Sequence, residues 1–239
     1  METLSFKPSL ECSTVWSRPV SISPKTALLE EYALVARALS APARLSLLEQ
    51  LAQGERGVEA LAEKTGLTIA NCSQHLQQLR RAALVTSRRD GKAVIYRLTD
   101  AKTLALMDLL SVVAERNLAQ VERILRGLSG GEDAPEPVSR EDLAARIAEG
   151  SVTVLDVRPA DEFAAGHIPG AMNATLAQLE QILPTLAPDA EIVAYCRGPY
   201  CVYAHQAVAT LRRHGLNARR LEGGLPEWRE EGREVARIG

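Results

Sequence analysis

The sequence predicts two domains of different class: a mainly helical one that closes with a basic hairpin, then an α/β domain with a parallel sheet. Three observations lead there. Residues 129–138 (SGGEDAPEPV) hold Gly, Pro and acids but little to bury, which marks a linker. Before it, apolar residues recur at helical spacing. After it, short apolar runs (VTVLDV, EIVAY) alternate with helical stretches, the pattern of strands buried on both faces.

Residues 1–24 carry Ser, Pro and Thr without periodicity and read as a flexible tail. Residues 25–128 form the first domain. Within it VEALAEKT (58–65) is a short amphipathic helix, stopped by Gly66, and Thr68 caps a second helix over 69–81. Two short helices joined by a Gly-containing turn predict a helix-turn-helix. On the second helix Ile69, Cys72, Leu76 and Leu79 share one face. Asn71, Ser73, Gln74, His75, Gln77 and Gln78 occupy the other, where amides and hydroxyls suit base edges in a major groove. Arg80 and Arg81 end the helix, and Arg81 is placed to meet phosphate. Residues 84–98 alternate on both sides of Asp90-Gly91 as a two-residue hairpin, with Arg88, Arg89 and Lys92 at its tip. A basic hairpin in that place is a wing, suited to the sugar-phosphate backbone. Helix 102–128 lines up Leu106, Leu110, Val113, Val121, Ile124 and Leu128, and helix 26–40 adds Leu28, Tyr32, Val35 and Leu39. Together these stripes exceed the needs of a lone domain and predict a dimer.

In residues 139–239, Ser139-x-x-Asp142 is a capping box that opens a helix to about Glu149. A strand over 152–157 delivers Asp156 and Arg158 to the sheet edge where α/β sites collect. A second strand, 191–196, runs into CRGPYC and then a helix over 201–214. Strand, tight loop and helix aim backbone N–H groups at one point. Cys196 at the start of that cradle is expected to be an activated thiolate, with Arg197 as a nearby cation and Gly198 supplying the unusual backbone angles. Cys201 begins the helix. If the loop ends lie within about 7 Å, Cys201 can link to Cys196; otherwise it fills space at a helix start.

Composition bounds the function. Hydrophobic residues make up 46% of 239, which suits a folded soluble chain, and no apolar run approaches the roughly 18 residues of a membrane span. With no basic-then-apolar N-terminus, a cytoplasmic location is expected. Four cysteines, Cys12, Cys72, Cys196 and Cys201, are too few for a disulfide scaffold. The net charge of −2 conceals an asymmetry: Lys and Arg outnumber acids 15 to 11 over 25–128, but trail them 11 to 14 over 139–239. Only the first region has the sign of a nucleic-acid partner.

LSAPARLSLLEQL (39–51), NCSQHLQQLRRAALV (71–85) and RRDGKAVIYRL (88–98) resemble the ArsR/SmtB family of winged helix-turn-helix repressors over residues 26–128. The resemblance implies a homodimer on an inverted-repeat, double-stranded operator. The family's metal-sensing Cys or Asp/His pairs have no counterpart here, so no metal site is carried over, and Cys72 reads as core. DVRPADEFAAGHIPGA (156–171), the Cys196 loop and GGLPEW (223–228) resemble the rhodanese superfamily over 138–239. That implies sulfane-sulfur transfer through a persulfide on Cys196, with Asp156 and Arg158 in supporting roles, His167 holding a turn, and no cofactor. The loop departs from the family's usual pattern, with Gly198 third and Cys201 sixth. Tyr195 and Val202 stand where the phosphatase and arsenate-reductase relatives have His and Arg, which argues against oxyanion chemistry. The expected function is a transcriptional repressor whose rhodanese domain senses or processes reactive sulfur from a sulfane-sulfur donor. The alternatives are a sulfurtransferase that uses the DNA domain for placement, and a metalloid-responsive repressor.

Overall fold

The computed structural model describes residues 23–129, 135–187, 189–198 and 200–238. Residues 1–22 of the expected tail, with Cys12, and residues 130–134 of the linker lie outside the described residues.

The N-terminal domain opens with α1 (Pro24–Leu39), capped by Ser23, and α2 (Pro42–Ala52). A short strand β1 (Arg56–Gly57) leads into α3 (Val58–Thr65) and α4 (Ile69–Arg81). Gly66 ends α3 at φ 68°, a left-handed conformation that costs glycine nothing, and the Thr68 hydroxyl accepts from Asn71 N–H at 3.3 Å. β2 (Val85–Asp90) and β3 (Ala93–Leu98) pair antiparallel, with β1 on the far side of β3. The turn sits one residue later than the sequence suggested. Asp90 pairs with Ala93, leaving Gly91 and Lys92 as the loop, and Gly91 takes the left-handed position at φ 59°.

The long helix expected over 102–128 is two helices, α5 (Ala101–Asn117) and α6 (Ala119–Ser129). Leu118 between them is extended, at φ −111° and ψ 100°. The Asn117 side chain donates back to the Val113 carbonyl at 2.8 Å, a local bond that competes with helix continuation. The break lets α6 leave α5 and pack on the second domain.

The N-terminal core gathers Leu47, Leu48, Leu51, Leu61, Cys72, Leu76, Leu79 and Met107. Ile69, expected on the buried face of α4, is instead 56% exposed at the first position of the helix, ahead of the buried Cys72, Leu76 and Leu79.

In the C-terminal domain α7 (Arg140–Glu149) is capped by Ser139, whose hydroxyl accepts from Asp142 N–H. Four parallel strands follow in the order β5-β4-β6-β7: β4 (Val152–Asp156), β5 (Met172–Asn173), β6 (Glu191–Tyr195) and β7 (Ala218–Arg220). Between them lie α8 (Ala160–Ala165), α9 (Leu179–Ile182) and α10 (Tyr203–Arg213), and α11 (Leu225–Glu230) comes last. The apolar strands bury both faces, as a parallel sheet requires. The β4–β6 register sets Asp156 opposite Tyr195, so Asp156 and Cys196 emerge at the same sheet edge.

Candidate functional site

Two sites were expected. On α4, Asn71, Gln74, Gln77, Gln78 and Arg81 are exposed, Ser73 and His75 are half-buried, and the opposite face is sealed into the core. The polar row is therefore free to meet a groove while Cys72, Leu76 and Leu79 hold the helix. Thr68 serves as its cap. Arg89 and Lys92 are exposed at the wing without an ion pair among the described residues, whereas Arg88 is held by Glu55 at 3.0 Å and Asp90 at 2.9 Å. Arg89 and Lys92 are thus the wing cations available to phosphate.

Cys196 leaves β6 and is joined to Cys201 in a disulfide, their Cα atoms 6.2 Å apart. Gly198 sits at φ 140°. Gly224 forms the loop's floor: a Cβ there would stand 2.5 Å from both the Cys196 carbonyl and the Gly198 nitrogen, so no side chain fits. This is the physical role of the second glycine in GGLPEW. Two expectations are corrected. The following helix starts at Tyr203, with Cys201 two residues upstream of its first turn. The Arg197 guanidinium does not serve as a free cation at the loop. It donates to the Glu162 carboxylate through Nε (2.9 Å) and Nη2 (3.0 Å).

Asp156 and Arg158 are fully buried against each other. Arg158 donates through Nε at 3.0 Å and Nη2 at 2.6 Å, and also to the Gly166 carbonyl. Burial, the largest single influence, pulls the Arg158 pKa down, but the Asp156 hydrogen bond and the nearby Asp156, Tyr195 and Glu162 charges together outweigh it and the net direction is up. The pair staples the strand end to the GHIPG turn. His167 stacks on Phe163 with its Nδ1 at 2.9 Å from the Phe163 carbonyl, a turn-holding position.

No local pattern indicates that the Cys196 loop is also a contact between the domains. Tyr200 packs against the N-terminal core and donates its hydroxyl to the Met107 carbonyl of α5 at 2.8 Å. Gln53, just past α2, donates to the Arg197 carbonyl at 2.8 Å and accepts from Arg158 at 3.3 Å. Glu162 of α8 is wholly buried and gathers Arg197 together with two N-terminal cations, Lys64 at 3.4 Å and Arg56 at 3.6 Å. Only the residue types of Glu162, Gln53 and Tyr200 were visible in the sequence. Apart from Arg197, 35 residues from Glu162, their partners lie more than 90 residues away, and no spacing rule reports that.

Glu227 of α11 lies under the loop. One carboxylate oxygen accepts from Gly224 N–H at 2.8 Å, and the other, Oε1, has no hydrogen-bond partner among the described residues. Burial raises its pKa to about 7.

Comparison with known proteins fits this geometry. Residues 39–88 match a helix-turn-helix domain family and residues 139–231 match the rhodanese-like domain. The HTH-type transcriptional regulator Rv0324 of Mycobacterium tuberculosis is 44% identical over 212 residues, which span 88% of this chain and 92% of that protein. The chain belongs to the ArsR/SmtB-type transcriptional regulators that carry a rhodanese-like domain. Among solved structures, the homodimeric winged helix-turn-helix DNA-binding domain of a possible ArsR-family regulator from Mycobacterium bovis is 40% identical, covering 42% of this chain and 94% of that one (TM-score 0.39). A rhodanese-related protein from Thermoplasma volcanium is 30% identical, covering 44% and 100% (TM-score 0.39). In this ArsR/SmtB-type regulator, DNA-reading and rhodanese-like domains thus share one continuous chain and touch at the Cys196 loop. Among the described residues, no helix is long and apolar enough to cross a membrane.

Proposed function

We propose that this regulator represses transcription as a homodimer on operator DNA, and that a sulfane-sulfur donor switches it through Cys196 and Cys201. The observation that carries the reading is the placement of the disulfide-forming pair: the loop between them holds Tyr200 against the N-terminal core and Arg197 against Gln53. A chemical change in the loop therefore acts directly on α2 and α5. The homodimer is supported by the unpartnered apolar side chains of α1 and α5, including Leu28, Tyr32, Leu110 and Val113.

The chemistry balances with a persulfide donor, RSSH. The reduced Cys196 thiolate attacks the terminal sulfur, the donor's S–S bond breaks, and RSH departs with the proton, leaving Cys196 as a persulfide anion. Once that persulfide is protonated, the Cys201 thiolate attacks Sγ of Cys196. A Cys196–Cys201 bond forms and the electron pair of the broken bond leaves on hydrosulfide. The dithiol is oxidised by two electrons, and the sulfane sulfur is reduced to sulfide. Thiol exchange resets the loop.

The test is operator binding by fluorescence anisotropy, with reduced and polysulfide-treated protein, for wild type and Cys196→Ser. The expected result is a change in wild-type affinity of about 5–150-fold, the usual span of coupling between two sites, and none in Cys196→Ser. Equal affinities for reduced and treated wild type would overturn the proposal.

A further inference from the structure

The Cys196 loop opens into a cavity of about 370 Å³ whose opposite wall belongs to the DNA-binding domain. Cys196, Gly198 and Cys201 line one side, and Asp108, Ser111 and Glu115 of α5 line the other. Arg220, the last residue of β7, and His205 of α10 also face it.

Arg220 is the unexplained member. It is partly buried, and its guanidinium makes no hydrogen bond or ion pair with any described residue. Glu115, Glu136 and Glu222 act on it only from beyond ion-pair distance, and burial pulls its pKa down. A half-buried guanidinium with no acceptor among the described residues leaves its five donors to solvent or to a ligand. The cavity is also lined by the Cys196–Cys201 pair, so a ligand that meets Arg220 lies beside the sulfur that becomes nucleophilic on reduction. The lining further limits that ligand. Asp108, Glu115, Glu136 and Glu222 outnumber Arg116 and Arg220, so the wall is net negative and disfavours a dianion such as thiosulfate. A small zwitterion meets both signs. The volume also suits a molecule of amino-acid size and is far larger than two sulfur atoms require. His205 adds no positive charge near neutral pH, because burial and Arg220 lower its pKa to about 4.

We infer that this interdomain cavity is the donor site of the loop and takes an amino-acid-sized persulfide, with its carboxylate on Arg220, its ammonium among the α5-side carboxylates, and its terminal sulfur toward Cys196. The inference rests on Cys196 accepting sulfane sulfur, and adds the class of donor and the residue that selects it. It also places the bound donor against α5, so the DNA-binding domain forms half of the site.

The experiment uses the reduced full-length chain and follows sulfur loading of Cys196 by rapid quench and mass spectrometry. The donors are cysteine persulfide, inorganic hydrogen disulfide and thiosulfate, and the proteins are wild type, Arg220→Gln and Arg220→Lys. In wild type, cysteine persulfide should half-saturate at a concentration about tenfold below that of thiosulfate. Arg220→Gln should raise the cysteine persulfide value about tenfold, the worth of one charge-assisted hydrogen bond, with the limiting rate nearly unchanged. Arg220→Lys, which keeps the charge, should recover most of the difference and shows that the site still folds. If Arg220→Gln matches wild type, or thiosulfate serves as well as cysteine persulfide, the donor site is wrong while Cys196 loading stands. If no donor loads Cys196, the proposed switch fails and the donor site fails with it.

Discussion

Replacing Glu162 with Gln tests whether the two domains are locked through one buried carboxylate. The side chain is 0% exposed and accepts from Arg197 at 2.9 and 3.0 Å, with Lys64 at 3.4 Å and Arg56 at 3.6 Å. Gln keeps the shape but removes the charge, and its amide hydrogens then face guanidinium donors. Breaking a buried pair by neutralising one partner costs about 3–5 kcal/mol. Lys64 and Arg56 retain some contact with water, so their share is small and the lower figure, about 3 kcal/mol, applies. For a chain of this length each kcal/mol moves Tm by roughly 2–4 °C, giving a fall of about 6–12 °C. Calorimetry of the full chain is the assay. Because Glu162 ties Lys64 and Arg56 to Arg197, the unfolding endotherm should also separate toward two components. A Tm within about 1 °C of wild type, with an unchanged endotherm, would refute the reasoning.

Three further outcomes follow from the geometry. Tyr200→Phe removes only the hydroxyl that donates to the Met107 carbonyl, and should cost about 1 kcal/mol in chemical denaturation and weaken the link between loop state and operator affinity. Glu227 has a folded-state pKa near 7, above its ordinary value of 4.5, so its contribution is fully present below pH 4.5 and is lost as pH rises through 7, by about 3 kcal/mol. His205, lowered to about 4 from 6.5, contributes stability that is lost as pH falls from 6.5 through 4. The two slopes oppose each other, so the check is the difference between wild type and Glu227→Gln: the stability of wild type relative to the variant should decline between pH 4.5 and 7. On DNA, Gln74→Ala should weaken specific binding by about 1–3 kcal/mol, while Arg89→Ala should weaken specific and nonspecific binding alike and reduce the salt slope by about one, both read by titration at several salt concentrations.

What the sequence determined by itself was everything set by short-range pattern. Thr68 capping α4, Gly66 closing α3, Ser139 capping α7 and the apolar runs of β4 and β6 each depend on residues within a few positions of one another, where spacing maps directly onto geometry. The same locality made Cys196-x4-Cys201 legible as a loop whose ends could meet. Where local signals compete, pattern alone misplaces a boundary: the Asn117 side chain bonds back to Val113 where the long helix breaks, and the wing turns at Gly91-Lys92, one residue later than its flanking pattern indicates. Which charges face each other depends instead on how distant segments pack. Arg197 stands beside Cys196 in the chain, yet its guanidinium turns to Glu162, because a buried carboxylate must be paired, and Lys64 and Arg56 of the other domain meet it at the same point. Arg220 lies two dozen residues from Cys196, yet the parallel β6–β7 register carries it to the cavity the loop opens into. Periodicity specifies which side of an element is apolar, but the partner across an interface is fixed only when the two domains close on one another.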